Sequence, residues 1–169
     1  MVSTLEGDLT ASRRMPADAV MIATALMLGA LAVPTLLAFL ADERTINGAN
    51  VWSKPLKFEV SLIIHLVTLA LILQLMTPAV RTGRLSRALT TTTAVCALGE
   101  VLYIALQAAR GRASHFNFST TIETAMYGLM GFGALLLVVC AFIFGVMVGR
   151  NPREGLGGGL KAGPHWDLR

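Results

Sequence analysis

Four long apolar runs dominate this chain and leave few ways for it to fold. They lie at 17–41 (ADAVMIATALMLGALAVPTLLAFLA), and at about 54–76, 88–109 and 120–149. Each reaches the roughly 20 residues a helix needs to cross the hydrocarbon of a bilayer. In lipid the backbone must satisfy its own polar groups, so runs of this length become helices rather than open strands. Of the 169 residues 54% are apolar and 14% charged, which leaves too little polar surface to coat four such helices in water. The expectation is an all-α integral membrane four-helix bundle over 17–149, with an N-terminal segment at 1–16 and a Gly-rich tail at 150–169.

An even number of spans puts both termini on one side. Lysine and arginine near span ends resist translocation. Arg13, Arg14, Arg81, Arg84, Arg87, Arg150, Arg153, Lys161 and Arg169 fall on one side, against Arg44, Lys54, Lys57, Arg110 and Arg112 on the other. Nine against five predicts both termini in the cytoplasm and the chain in the inner (plasma) membrane. The first run is too long for a signal peptide, whose apolar core is ~7–15 residues, and Ala38-Phe39-Leu40-Ala41 is no A-x-A site. The net charge of +4 is accounted for by this asymmetry and by an anionic inner leaflet, so no nucleic-acid partner is expected. Cys96 and Cys140 fall in different apolar runs without CxxC spacing and read as inert thiols.

Local signals mark the connections. Pro34 predicts a kink in the first helix, Asn47-Gly48 a turn, and Ser53 an N-cap with Pro55 in the first turn behind it. GLMGFGA at 128–134 and Gly145-x-x-x-Gly149 read as small-residue faces for close helix approach.

Chemistry must come from polar residues within the spans, because GxxxxGK, HExxH, GxSxG and GxGxxG are all absent. No catalytic residue and no metal site are read. Polar groups in lipid are costly and count as functional candidates by default. On the second span Lys54, Lys57, Ser61, His65 and Thr68 fall on one stripe; Glu100, Tyr103 and Gln107 form another on the third, and Thr120, Glu123 and Tyr127 another on the fourth. Counting from the loop centres at about 1.5 Å per residue sets His65 level with Glu100, Gln107 with Glu123, and Tyr103 with Tyr127. Glu59 lies roughly 200° from Lys57 round its helix and is assigned to Arg44 or to another subunit. Lys54, Glu59 and Arg112 also fit a bland reading as interfacial ion-pairing groups. His65 and Glu100, roughly 13–16 Å below the helix ends, read equally as a proton-sharing functional pair and as a satisfied structural one.

The stretches NGANVWSKPLKFEVSL and EVLYIALQAARGRASHFNFSTTIETAMYGLMG carry two elements, W-x-K-P-x-K-F and R-G-x-x-S-H-F-N. Trp52, Lys54, Pro55, Lys57 and Phe58 supply the first; Arg110, Gly111, Ser114, His115, Phe116 and Asn117 supply the second. In these the chain resembles a family of uncharacterised bacterial polytopic membrane proteins. The resemblance implies a helical membrane fold and directs attention to the loops that hold both elements. Members of that family continue with further helices after a segment similar to PHWDLR, which implies pairing with another subunit.

The leading functional expectation is an outward-facing polar pocket that transports or senses a small polar or anionic solute, with a proton as a possible coupling partner. Its residues are Lys57, Ser61, His65, Glu100, Tyr103, Gln107, Arg110, Arg112, His115, Asn117, Glu123 and Tyr127. Four helices rarely enclose a full alternating-access path, so a homo-oligomer or a larger membrane complex in the lipid bilayer is implied. A second reading is a redox subunit holding haem or quinone near His65 and Tyr103, and a third is an assembly subunit using the glycine faces of the fourth span.

Overall fold

The computed structural model describes residues 16–153. The N-terminal segment and the Gly-rich tail, with Arg13, Arg14, Lys161 and Arg169, lie outside the described residues. The described chain folds as an all-α bundle of four long helices, α1 (Ala17–Ala41), α2 (Ser53–Gln74), α4 (Arg84–Ala109) and α5 (Thr121–Arg150). A hairpin of β1 (Thr45–Ile46) and β2 (Ala49–Asn50) links α1 to α2, and a single short helix, α3 (Pro78–Arg81), links α2 to α4. All four long helices are long and apolar enough to cross a membrane.

The core follows from the apolar spacing. Leu62, Leu66, Leu69 and Leu73 of α2 repeat at three and four residues and pack on Met21, Ala25 and Leu28 of α1, with Ala97 and Val101 of α4 and Leu137, Cys140 and Phe144 of α5 closing the cluster. Leu40 and Phe142, at 73% and 72% exposure, belong to a coat of outward-facing apolar side chains on all four long helices. A coat of that extent would aggregate in water and suits a helix surface that faces lipid.

Both described ends of the chain lie at one end of the bundle. The Thr77 amide donates to Asn151 O at 3.1 Å, the Arg153 amide donates to Leu75 O at 2.8 Å, and Arg81 reaches Asp18 at 3.8 Å. The opposite end, called here the hairpin end, holds 42–52 and 110–120. Asn47 (φ 52°) and Gly48 (φ 80°) both take the left-handed conformation that a two-residue hairpin of this kind requires, which is why Asn-Gly sits there.

Two local expectations change. Trp52, not Ser53, occupies the α2 N-cap, and no side chain caps it; Ser53 is already helical. Thr120 is the functioning cap, its Oγ1 accepting from the Glu123 amide of α5 at 3.2 Å. Of the α5 glycines expected to mediate close approach, Gly128, Gly131, Gly145 and Gly149 have open space where a Cβ would stand. Gly133 alone among them touches a neighbour, because the side chain of Glu100 occupies the volume its missing Cβ leaves.

Candidate functional site

The hairpin end is assembled around Asp42, which follows α1. Its carboxylate accepts from Arg44 Nη2 at 2.6 Å and from Trp52 Nε1 at 2.8 Å, while Arg44 Nη1 donates to Ala109 O at 3.1 Å. The Arg44 bond, then that of Trp52, holds the Asp42 carboxyl well below the usual carboxylate range. One carboxylate thus ties the β-hairpin to the ends of α2 and α4.

Between this hairpin, the start of α2 and the 110–116 loop lies a groove of about 420 Å³. Lys54, Lys57, Arg112, Ser114 and His115 line it with Phe58, and no aspartate or glutamate is among its lining residues. Arg112 is partly neutralised, since its Nη1 donates to Glu123 Oε1 at 2.8 Å. Glu123 also accepts from Ser119 Oγ. Lys54 stands 6.0 Å from the Phe58 ring centroid. His115 packs at 6.0 Å from the rings of both Phe58 and Tyr127, and its Nδ1 lies 3.1 Å from Ser114 Oγ. Burial, with the nearby Lys54 charge, pushes the His115 imidazole below its ordinary value against an opposing bond from the Ser114 backbone. The ring is therefore neutral at pH 7.

The remaining polar residues divide into separate sets. At the C-terminal end of α4, Arg110 Nη1 donates to Gln107 Oε1 at 3.2 Å, and the Gln107 amide nitrogen donates to Tyr103 Oη at 2.9 Å, so Tyr103 and Gln107 are bonded within their own helix. Gln107 is fully buried and lies beside Glu123, at the level the helix count assigned. Tyr127 meets aromatic rings, Phe116 at 5.1 Å and Phe118 at 5.6 Å, rather than Tyr103. Asn117 spends its amide on its own loop, donating to Ala113 O and accepting from Ser119.

The α2 stripe splits. Lys54 and His65 are half-buried, whereas Lys57, Ser61 and Thr68 are exposed. The leucines that face α1 set the orientation of α2, and a polar band offset from them has one edge inside and one outside. His65 does not pair with Glu100: its Nε2 is buried without a partner, and so are both Glu100 carboxylate oxygens. Glu100 turns instead toward α5, where Gly133 makes room for it.

Glu59 corrects its expectation most sharply. It bonds neither Arg44 nor an exposed face; it is 1% exposed, and Thr35 of α1 lies 2.7 Å from its Oε1. Glu59 continues the α2 leucine row one turn upward, since Leu62, Leu66, Leu69 and Leu73 follow it at +3, +7, +10 and +14. That row was the signal that could have placed it. Lys54 was likewise passed over as interfacial, though it shares the face of Phe58 four residues on.

Among the described residues no cluster of three or more His, Cys, Asp or Glu could hold a metal ion. His65 lies two turns deeper than Phe58, which His115 contacts, so the two imidazoles stand at different levels and do not bracket one planar group. Comparison with protein-family models, with curated proteins and with solved structures finds no match for this chain. The functional reading therefore rests on the chemistry of the site.

Proposed function

We propose that this is a multi-pass membrane protein whose hairpin end faces outward and binds a small anionic solute for transport or sensing. The observation that carries the reading is the groove itself: Lys54, Lys57 and Arg112 line it, no carboxylate is among the lining residues, and only Arg112 is partly neutralised, by Glu123 outside the lining. A concave site lined by one sign of charge and partly walled by apolar residues raises the local concentration of the opposite charge. Ser114 supplies an orienting hydroxyl in the same lining, while the amide of Asn50 is bonded to Asp42 O and the Trp52 amide and holds the groove wall in place. Lys54 connects the groove to the bundle interior, because its charge also reaches Glu100. Proton coupling would use that buried carboxylate, and a second copy of the chain would complete a pathway that four helices do not enclose.

Binding is tested on the full chain in detergent by calorimetric titration with inorganic phosphate, sulfate and short carboxylates. Saturable binding of at least one anion is expected. Absence of saturation at millimolar concentrations of every probe overturns the reading. A bound anion favours the protonated form of a nearby imidazole, and His115 is neutral at pH 7. Affinity should therefore rise several-fold as the pH falls below the ordinary histidine value of about 6.5, and His115→Gln should remove that rise while leaving binding at pH 7.5 in place.

Sidedness is tested at the exposed hairpin tip. In an otherwise cysteine-free chain in intact cells, Asn47→Cys should react with an impermeant maleimide added outside. Labelling confined to the cytoplasmic side would reverse the orientation.

A further inference from the structure

A second cavity, of about 350 Å³, opens on the flank of the bundle between α4 and α5, apart from the anion groove. Val95, Leu129 and Phe132 on its lining are exposed, so it is entered from the side of the bundle. Met126, Met130 and Leu136 line it further, and Glu100 and Tyr103 are its polar side chains. Glu100 is 3% exposed and neither carboxylate oxygen has a hydrogen-bond partner. Gly133 holds the space open: a Cβ there would stand 2.9 Å from Glu100 Oε1.

We propose that this lateral cavity is a binding site for a lipophilic amine, whose cationic head meets Glu100 and whose hydrocarbon fills the Met126, Leu129, Met130 and Leu136 wall. The two unpartnered oxygens, buried at the cavity wall against Gly133, offer acceptors and no donor when ionised, so the matching ligand head is a donor that carries its own positive charge and draws the carboxylate toward it. A lone carboxylate in such surroundings must hold a proton or meet a cation, and an ammonium that arrives with its hydrocarbon supplies the cation without exposing the cavity to water. Phe132 and Tyr103 add aromatic faces suited to a cation. Unbranched methionines adapt to varied hydrocarbon shapes, which favours a ligand class over one exact molecule. The volume falls in the range of small-molecule pockets, roughly 300–1,000 Å³.

The test uses the full chain in nanodiscs and dansylcadaverine, a fluorescent primary amine, against its uncharged N-acetyl analogue. The amine should bind at least ten-fold more tightly than the analogue. Glu100→Gln should abolish that preference, and Gly133→Ala, which displaces the carboxylate, should weaken it several-fold. Lys57→Gln, at the anion groove, should leave amine binding unchanged, so failure of the groove reading and failure of this one are told apart. Should Glu100→Gln not fold, Leu129→Trp fills the exposed mouth without entering the core and should block the amine. Equal binding of both probes overturns the proposal, as does amine binding that survives Glu100→Gln or Leu129→Trp. A dimer that buries this flank and dissociates in Leu129→Trp, with no amine bound, assigns the cavity to a second copy of the chain and likewise overturns it.

Discussion

Lys54→Gln is expected to weaken anion binding about ten-fold or more, against about two-fold for Lys57→Gln, when both are titrated with the anion that binds the unaltered protein. Both lysines line the groove, so their separation by environment decides the outcome. Lys57 is exposed, where a unit charge at about 4 Å is worth about 1 kcal/mol before salt screens it. Lys54 is half-buried beside Phe58, where the same geometry is worth several times more. A ten-fold loss corresponds to about 1.4 kcal/mol, well inside that range. Lys54→Arg, which keeps the charge, should recover most of the affinity. Equal losses at the two positions would mean that the groove acts as a diffuse positive surface, with no defined seat for the solute.

The second large effect is expected at Gly133. Leucine there must occupy the volume that the Glu100 side chain fills, and overpacking of that kind costs typically about 1–3 kcal/mol. In a chain of this length each kcal/mol lowers the thermal midpoint by roughly 2–4 °C. Alanine at 133 should do less, because the carboxylate can swing its end away; the change then appears in the position of the acid rather than in stability. Gly128→Ala and Gly131→Ala meet open space and gain helix propensity, so their midpoints should hold or rise. A midpoint scan of these four variants in one detergent checks the contrast. If Gly128→Ala destabilises as much as Gly133→Leu, an interface outside this chain covers the α5 glycines.

The way α4 and α5 meet shows why some of the site could be read in advance and some could not. Gln107 and Glu123 came together because a short loop between two rigid helices leaves only a rise per residue to count. His65 and Glu100 did not, although the same count put them level. Depth is one coordinate; the rotation of each helix about its axis is another, and the connecting segment does not report it. On α2 that rotation is set by the leucine row against α1 and the Glu59 contact to Thr35. On α4 Ala97 and Val101 face the core, and the one glycine of α5 whose missing side chain admits a carboxylate receives Glu100.

By itself the sequence determined that the chain is helical, how many long helices it forms, where they begin and end to within a few residues, and which end collects the groove cations. Run length, turn residues and charge spacing act locally, and a local rule suffices for each. Only the tertiary structure decided which polar groups face one another. It put Glu59 in the core, turned Lys54 inward and Lys57 outward, and left Glu100 without a partner in a cavity of its own. Those outcomes depend on how bulky and absent side chains on different helices interlock, and no stretch of one helix contains that information.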